Sequence, residues 1–190
     1  MPPRSRSRNP FLRSVTFVLG IARRRRFRIA LIGGFALPFH GVQRTTGDVD
    51  FLVEARGADT LHDALTSAGA VCLHRSPDAA NYGPGTALLA PVDCIYARRE
   101  RALDMLQRAR PVLLRAARVR VPVVDAEALI GLKLQALVNA PSRRARDEAD
   151  IRALIAAKGG ALDIARLRDY YRLFGREKDL TRLLAELKKR

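Results

Sequence analysis

Residues 28–54 read RIALIGGFALPFHGVQRTTGDVDFLVE, and the fold is decided there. Ile29 to Ile32 is a short apolar run that stops at Gly33 and Gly34, the mark of a buried strand entering a tight turn. Phe35 to His40 then reads as a short helix, with Pro38 near its first turn, where proline is tolerated. Asp48 to Glu54 reads as the next strand. On a strand, residues two apart face the same side, so Asp48 and Asp50 address one spot. Two anions held that close repel unless a cation neutralises them. Hard oxygen ligands suit Mg²⁺, which commonly takes one or two carboxylates together with substrate phosphate. Taken alone, an Asp-x-Asp is more often a solvated strand end, and Gly-Gly a plain turn. The order is what matters. Backbone amides at Gly33 and Gly34 leave room for a phosphate at a helix start. The link Arg44-Thr45-Thr46-Gly47 then leads directly to the carboxylates, at the same edge of one sheet.

Outward from this stretch, the chain divides into three parts. Residues 1–10 are rich in Pro, Arg and Ser and read as a disordered basic arm. Residues 11–124 alternate helices and strands. A helix is expected over 11–26, from apolar residues at 11, 12, 15, 18, 19 and 22, and another over 58–68. Strands are expected at 71–73, 87–89 and 92–96, with a loop over 81–85. A helix follows at 100–110, then a strand or extended linker at 119–124. Residues 125–190 read as all-helical, starting at an N-cap on Asp125, with breaks at 140–142 and at Gly159-Gly160. Asp93 lies within the apolar run Val92 to Tyr96, where an acid is costly unless paired or metal-bound. If that strand lies beside the Asp48–Asp50 strand, Asp93 is a third carboxylate; a water-exposed strand end is the alternative.

Composition narrows the partners. The chain has 190 residues, 48% of them hydrophobic, enough for a sizeable core. Its two cysteines build no disulfide scaffold, and no Cys/His cluster has zinc spacing. Apolar runs fall far short of a membrane span, so a cytoplasmic protein that does not engage a membrane is expected. The formal net charge is +16, which favours an anionic partner such as RNA, DNA or nucleotide. Residues 1–47 hold ten Arg and no acid. That segment reads either as a solvated tail or as an electrostatic guide for nucleic acid. Only five basic residues are Lys, and one of them, Lys133, sits between Leu132 and Leu134 on an apolar helix face. In so Arg-rich a chain, a lysine there suggests a function. Asp147 and Asp150, three apart, share a helix face, where Arg143, Arg144 or Arg146 are the ordinary partners.

The pattern from Gly33 through Asp50, with its thirteen residues between Gly34 and Asp48, resembles the DNA polymerase β-like nucleotidyltransferase superfamily. Its form Gly-Gly-x-Ala-x-x-x-His-Gly-x-x-Arg-x-Thr-x-Asp-x-Asp is similar to the AbiEii/MenT-like toxins of type IV toxin–antitoxin systems. The stretches Val121 to Leu134 and Arg146 to Ile151 resemble that family's lysine-bearing helix and its last acidic motif. The second Gly stands where many relatives have Ser. The resemblance implies an α+β fold: a nucleotidyltransferase-type mixed β-sheet with flanking helices plus a C-terminal helical subdomain. It implies that Gly33 and Gly34 bind the triphosphate of an NTP, with Arg44 and Thr46 nearby. Asp48 and Asp50 would hold Mg²⁺, with Asp93 as the candidate third ligand. Lys133 would contact phosphate, and Asp147 would be the acid of the last motif, with Asp150 the other candidate. The implied reaction is transfer of NMP to an acceptor hydroxyl, with the 3′ end of tRNA or another RNA expected as acceptor. A cognate acidic antitoxin would then mask the basic surface. The competing expectations are a small-molecule acceptor, a protein acceptor (AMPylation), and a non-catalytic basic RNA-binding domain.

Overall fold

Asn9 opens the first helix, its side chain accepting the backbone N–H groups of Phe11 (2.9 Å) and Leu12 (3.3 Å). The computed structural model describes residues 9–85, 89–139 and 141–188. Helix α1 (Pro10–Arg25) starts with Pro in its first turn and buries Leu12, Val15, Val18, Leu19 and Ala22 along one face. It ends on Arg26 in the left-handed conformation, φ 57°. A side chain there costs about 1–2 kcal/mol, which is why glycine is the usual choice.

The strands follow in turn. β1 (Ile29–Ile32) is buried throughout. A short helix α2 (Gly33–Ala36) and a 3₁₀ turn (Leu37–His40) lead to β2 (Val49–Glu54), α3 (Ala58–Ser67), β3 (Val71–Arg75), β4 (Ala79–Gly83) and β5 (Val92–Ala97). Then come α4 (Glu100–Arg108), β6 (Arg110–Leu114), a 3₁₀ turn (Arg115–Ala117) and β7 (Val119–Val123). Together the seven strands form one mixed sheet in the order β3-β4-β5-β2-β1-β7-β6. β2 runs antiparallel to β1 and parallel to β5, and β1 is parallel to β7. The central strands carry the core, with Ala30, Leu31, Phe51, Leu52 and Val53 fully buried. Helix α1 lies against α3, and Ser14 Oγ donates to the Ala90 carbonyl at 3.1 Å.

Four further helices complete the chain: α5 (Ala126–Asn139), α6 (Arg144–Lys158), α7 (Ile164–Leu173) and α8 (Glu177–Lys188). The Asp125 carboxylate accepts the Ala128 N–H at 2.9 Å and so caps α5. The chain forms two compact units: one runs to Ala36 and resumes over Arg44–Val124, and the other comprises Leu37–Gln43 and everything from Asp125 onward. The second is held together by a polar clamp. Arg166 bonds Asp125 at 2.6 Å and Glu127 at 2.8 Å, and Glu127 also accepts the Asp163 N–H.

The sequence reading and the structure differ at two strands. β4 occupies residues expected to begin a loop. Ala-Ala-Asn-Tyr-Gly is a poor strand sequence, but pairing with β3 on one side and β5 on the other supplies what propensity lacks. β6 takes the last residue of an expected helix and four unassigned residues beyond it, because Pro111 stops helix α4 from continuing. Of the two readings of 119–124, strand or extended linker, the strand holds: β7 pairs with both β6 and β1. Residues 1–8 of the expected arm, residues 87 and 88 of an expected strand, and Ala140 at an expected break lie outside the described residues. Among the described residues, no helix is long and apolar enough to cross a membrane.

At the end of β2, Glu54 accepts the Arg28 N–H at 2.8 Å and pairs with Arg56 at 3.1 Å. Burial opposes its ionisation, but the Arg28 N–H and the two guanidiniums outweigh burial and hold its pKa below the ordinary 4.5. A lowered pKa stabilises the fold above the unfolded value, and this contribution is lost as pH falls through the folded one. Glu54→Gln is therefore expected to lower Tm at pH 7. The gap to wild type should close as thermal melts are taken below pH 4.5.

Candidate active site

Parallel pairing of β2 with β5 sets Asp50 level with Asp93. Strands paired in register point equivalent side chains to the same face, so these two carboxylates are neighbours. Asp48 lies two residues before Asp50 and shares that face. Val49, between them, is fully buried on the other side, and its N–H donates to the Pro91 carbonyl at 2.9 Å. The result is a cluster of three half-buried acids, Asp48, Asp50 and Asp93, each offering one oxygen within 4.8 Å of the others. Oxygen-only donors converging this closely fit a hard divalent cation such as Mg²⁺. Carboxylates at this spacing repel, and a cation between them removes that cost.

Gly33 is required here twice over. Its φ is +64°, in the left-handed region, and a Cβ would lie 1.9 Å from Asp50 Oδ2. The Asp50 carboxylate therefore rests directly on the Gly33 backbone. At Gly34 a Cβ would meet Thr46 Oγ1 at 2.9 Å. Thr46 in turn donates its hydroxyl to Asp48 Oδ1 at 2.5 Å, fixing the orientation of that carboxylate. The Gly-Gly turn and the Arg44 to Gly47 link are thus packed against the acids they flank in sequence. Asn81 pairs with Asp93 across β4 and β5, a polar neighbour of the cluster that the loop reading of residues 81–85 concealed. On the opposite face of β5, burial pushes the Cys94 thiol pKa far up, and the Asp93 and Asp50 charges push it further. Cys94 is a neutral core residue.

Lys133, Asp147 and Asp150 meet in the helical unit. Lys133 Nζ lies 3.0 Å from Asp147 Oδ1 and 2.6 Å from Asp150 Oδ2. All three are buried. Of the arginines expected as ordinary partners of these acids, Arg143 lies 3.9 Å from Asp147 Oδ2. Among the described residues, Asp147 Oδ2 is buried with no hydrogen-bond partner.

The comparisons with known proteins follow this geometry. No protein-family model matches the sequence, and no curated protein matches it. Solved structures do. An antigenic nucleotidyltransferase-like protein from Paracoccidioides brasiliensis matches with a TM-score of 0.53 at 18% identity, over 92% of each chain. The lincosamide antibiotic adenylyltransferase LnuA matches with 0.52 at 14% identity, over 74% of this chain and 94% of that one. The antibiotic-resistance factor ANT(2'')-Ia matches with 0.64 at 15% identity, over 90% of this chain and 94% of that one. The chain has the nucleotidyltransferase fold. Within that fold, the seven-stranded mixed sheet presents the three carboxylates at the end where β1 gives way to the Gly-Gly turn.

Two outcomes follow. A cation in the cluster stabilises the folded state by mass action, so Mg²⁺ or Mn²⁺ is expected to raise the wild-type Tm in differential scanning fluorimetry. The rise should vanish in Asp48→Asn, whose metal-free Tm is expected to be no lower. Removing a buried cation strands its anions, at about 3–5 kcal/mol. Lys133→Ala is accordingly expected to cut unfolding stability by that order in urea titrations.

Proposed function

We propose that the chain is a divalent-metal-dependent nucleotidyltransferase that moves NMP from an NTP to an acceptor hydroxyl. The observation that carries this reading is the convergence of Asp48, Asp50 and Asp93 beside the Gly33-Gly34 turn. Asp48 and Asp50 would hold Mg²⁺, which supplies charge neutralisation at the phosphates and activation of the attacking oxygen. The backbone of Gly33 and Gly34 receives the triphosphate, with Arg44 beside it. Thr46 acts through Asp48, keeping one carboxylate oxygen turned by its hydroxyl bond. Asp93 accepts the proton as the acceptor oxygen forms its bond to the α-phosphorus. The bond from that phosphorus to the bridging oxygen breaks, and pyrophosphate leaves with the electron pair. On the sequence resemblance we assign to Lys133, with nearby Arg, the balancing of charge on the leaving pyrophosphate, and to Asp147 the acid of the last motif.

For the acceptor, we propose the 3′ end of an RNA, with tRNA first among them. Modified ends would no longer accept amino acids, which is the action of a toxin restrained by an acidic antitoxin. The basic N-terminal quarter and the AbiEii/MenT-like motifs support this reading. A second reading has its own support: ANT(2'')-Ia, which matches nearly end to end, has been solved with adenylyl-2''-tobramycin, so a small-molecule hydroxyl is the competing acceptor.

The test incubates the protein with Mg²⁺ and each α-³²P-labelled NTP in turn, offering total tRNA, an aminoglycoside panel, or neither. Label on tRNA, reduced at least 100-fold by Asp48→Ala, is the expected result. Label on an aminoglycoside alone would establish the second reading. Label on the protein or on an added protein would point to AMPylation. No label on any acceptor, with the protein folded, would overturn the enzymatic reading.

A further inference from the structure

A group of exposed arginines of the sheet unit lies at the end of the sheet away from the carboxylates. The run Arg23–Arg26 is exposed at the last turn of α1, and Arg28 is exposed just before β1. Arg56, beyond β2, donates to the Arg26 carbonyl at 2.6 Å. From the other side, Arg23 donates to the Arg120 carbonyl at 2.9 Å. That contact joins α1 to the start of β7, and Arg120 there, with Arg115 and Arg118 of the turn before it, is exposed. Among the described residues, Glu54 is the carboxylate that pairs within this group, and it pairs with Arg28 and Arg56. β7 runs parallel to β1 with Val123 level with Leu31. Its start therefore lies at the same end as Arg28, opposite Gly33.

Two of these arginines stand where the backbone favours glycine. Among the described residues, the non-glycine positions with positive φ are Arg26 (φ 57°) and Arg118 (φ 52°). Both are turn positions that the backbone would fill with glycine more easily. The chain keeps a guanidinium at each, and both belong to this surface.

We propose that this surface docks the phosphate backbone of an RNA whose 3′ end is the acceptor. The inference rests on the RNA reading of the acceptor. From Arg28 to Gly33 the strand spans about 16 Å, at about 3.3 Å per residue. The arginine surface thus lies about a strand's length from the carboxylates, where the body of a polymer can lie while its end reacts. Guanidiniums bind phosphate in bidentate fashion and hold position without reading sequence. The surface therefore recognises an RNA body while the reacting end lies elsewhere on the same unit.

The test measures binding of a fluorescent RNA hairpin with a single-stranded 3′ tail, without NTP, from 50 to 200 mM salt. Wild type, Arg26→Gly, Arg118→Gly and the double variant are compared, with Tm measured for each. The double variant is expected to bind about 10-fold or more weakly. The slope of log affinity against log salt should fall by about 0.7–0.9 per arginine removed. Tm should be unchanged or raised, because glycine relieves the left-handed positions. Unchanged affinity and slope in the folded double variant would overturn the proposal. So would equal competition by poly-glutamate and RNA, which would assign the surface to an acidic protein. Asp48→Ala should bind the hairpin like wild type. RNA labelling that survives intact in the double variant would sink the docking surface and leave the acceptor reading standing. Salt-dependent binding through these arginines without RNA labelling would do the reverse.

Discussion

The Asp50 carboxylate rests on the Gly33 backbone where any other residue would carry its side chain, and much of the sheet unit follows from that contact. It requires β1 to end at Ile32, level with Asp50, and requires the backbone to turn immediately in a conformation that only glycine adopts easily. It fixes the starting point of β2, and through the parallel pairing with β5 it fixes which residue of β5 faces the same spot. A one-residue slip of either strand would send its acids to the opposite face and into the core. Phe51, Val49 and Cys94 are the residues that prevent this, because they are apolar and buried on that face.

The two charged clusters differ in how far water reaches them. In the helical unit, the protein supplies its own cation: Lys133 bonds both Asp147 and Asp150 and is buried with them. Such a group holds its helices in one arrangement even where its net energetic gain is small. In the sheet unit, the three acids are only half-buried and converge on a common point. Carboxylates left in contact with water are reachable by an ion and a substrate, whereas Asp147 and Asp150 are buried with the ammonium they bond.

Asp48 and Asp50 were legible in the sequence because strand geometry alone puts residues two apart on one face. Asp93 was legible only conditionally, since nothing local says which strand lies beside which. That information resides in the parallel β2–β5 pairing, across nearly forty residues of intervening chain. β4 was illegible because its residues favour a loop, and only neighbours on both sides make them a strand. Lys133 stood out as a lysine among arginines, and Asp147 and Asp150 as a helical pair. Their mutual contact arises from packing of α5 on α6, which no spacing rule within one helix reveals. Thr46 stood out within a motif, but its bond to Asp48 depends on how the Arg44 to Gly47 link folds back.

The pairing of Pro111 with Pro122 across β6 and β7 has a consequence for how the molecule behaves at high concentration. Neither proline has an N–H, so they form a pair whose donor positions would point away from each other. The gap at Pro111 therefore faces the open edge of β6, the outermost strand on that side. On the far edge, the register of β3 slips between Cys72 and His74. An approaching strand from another molecule meets a missing donor on one side and an irregular ladder on the other. Among the described residues, both margins of the sheet are thereby poor templates for edge-to-edge growth.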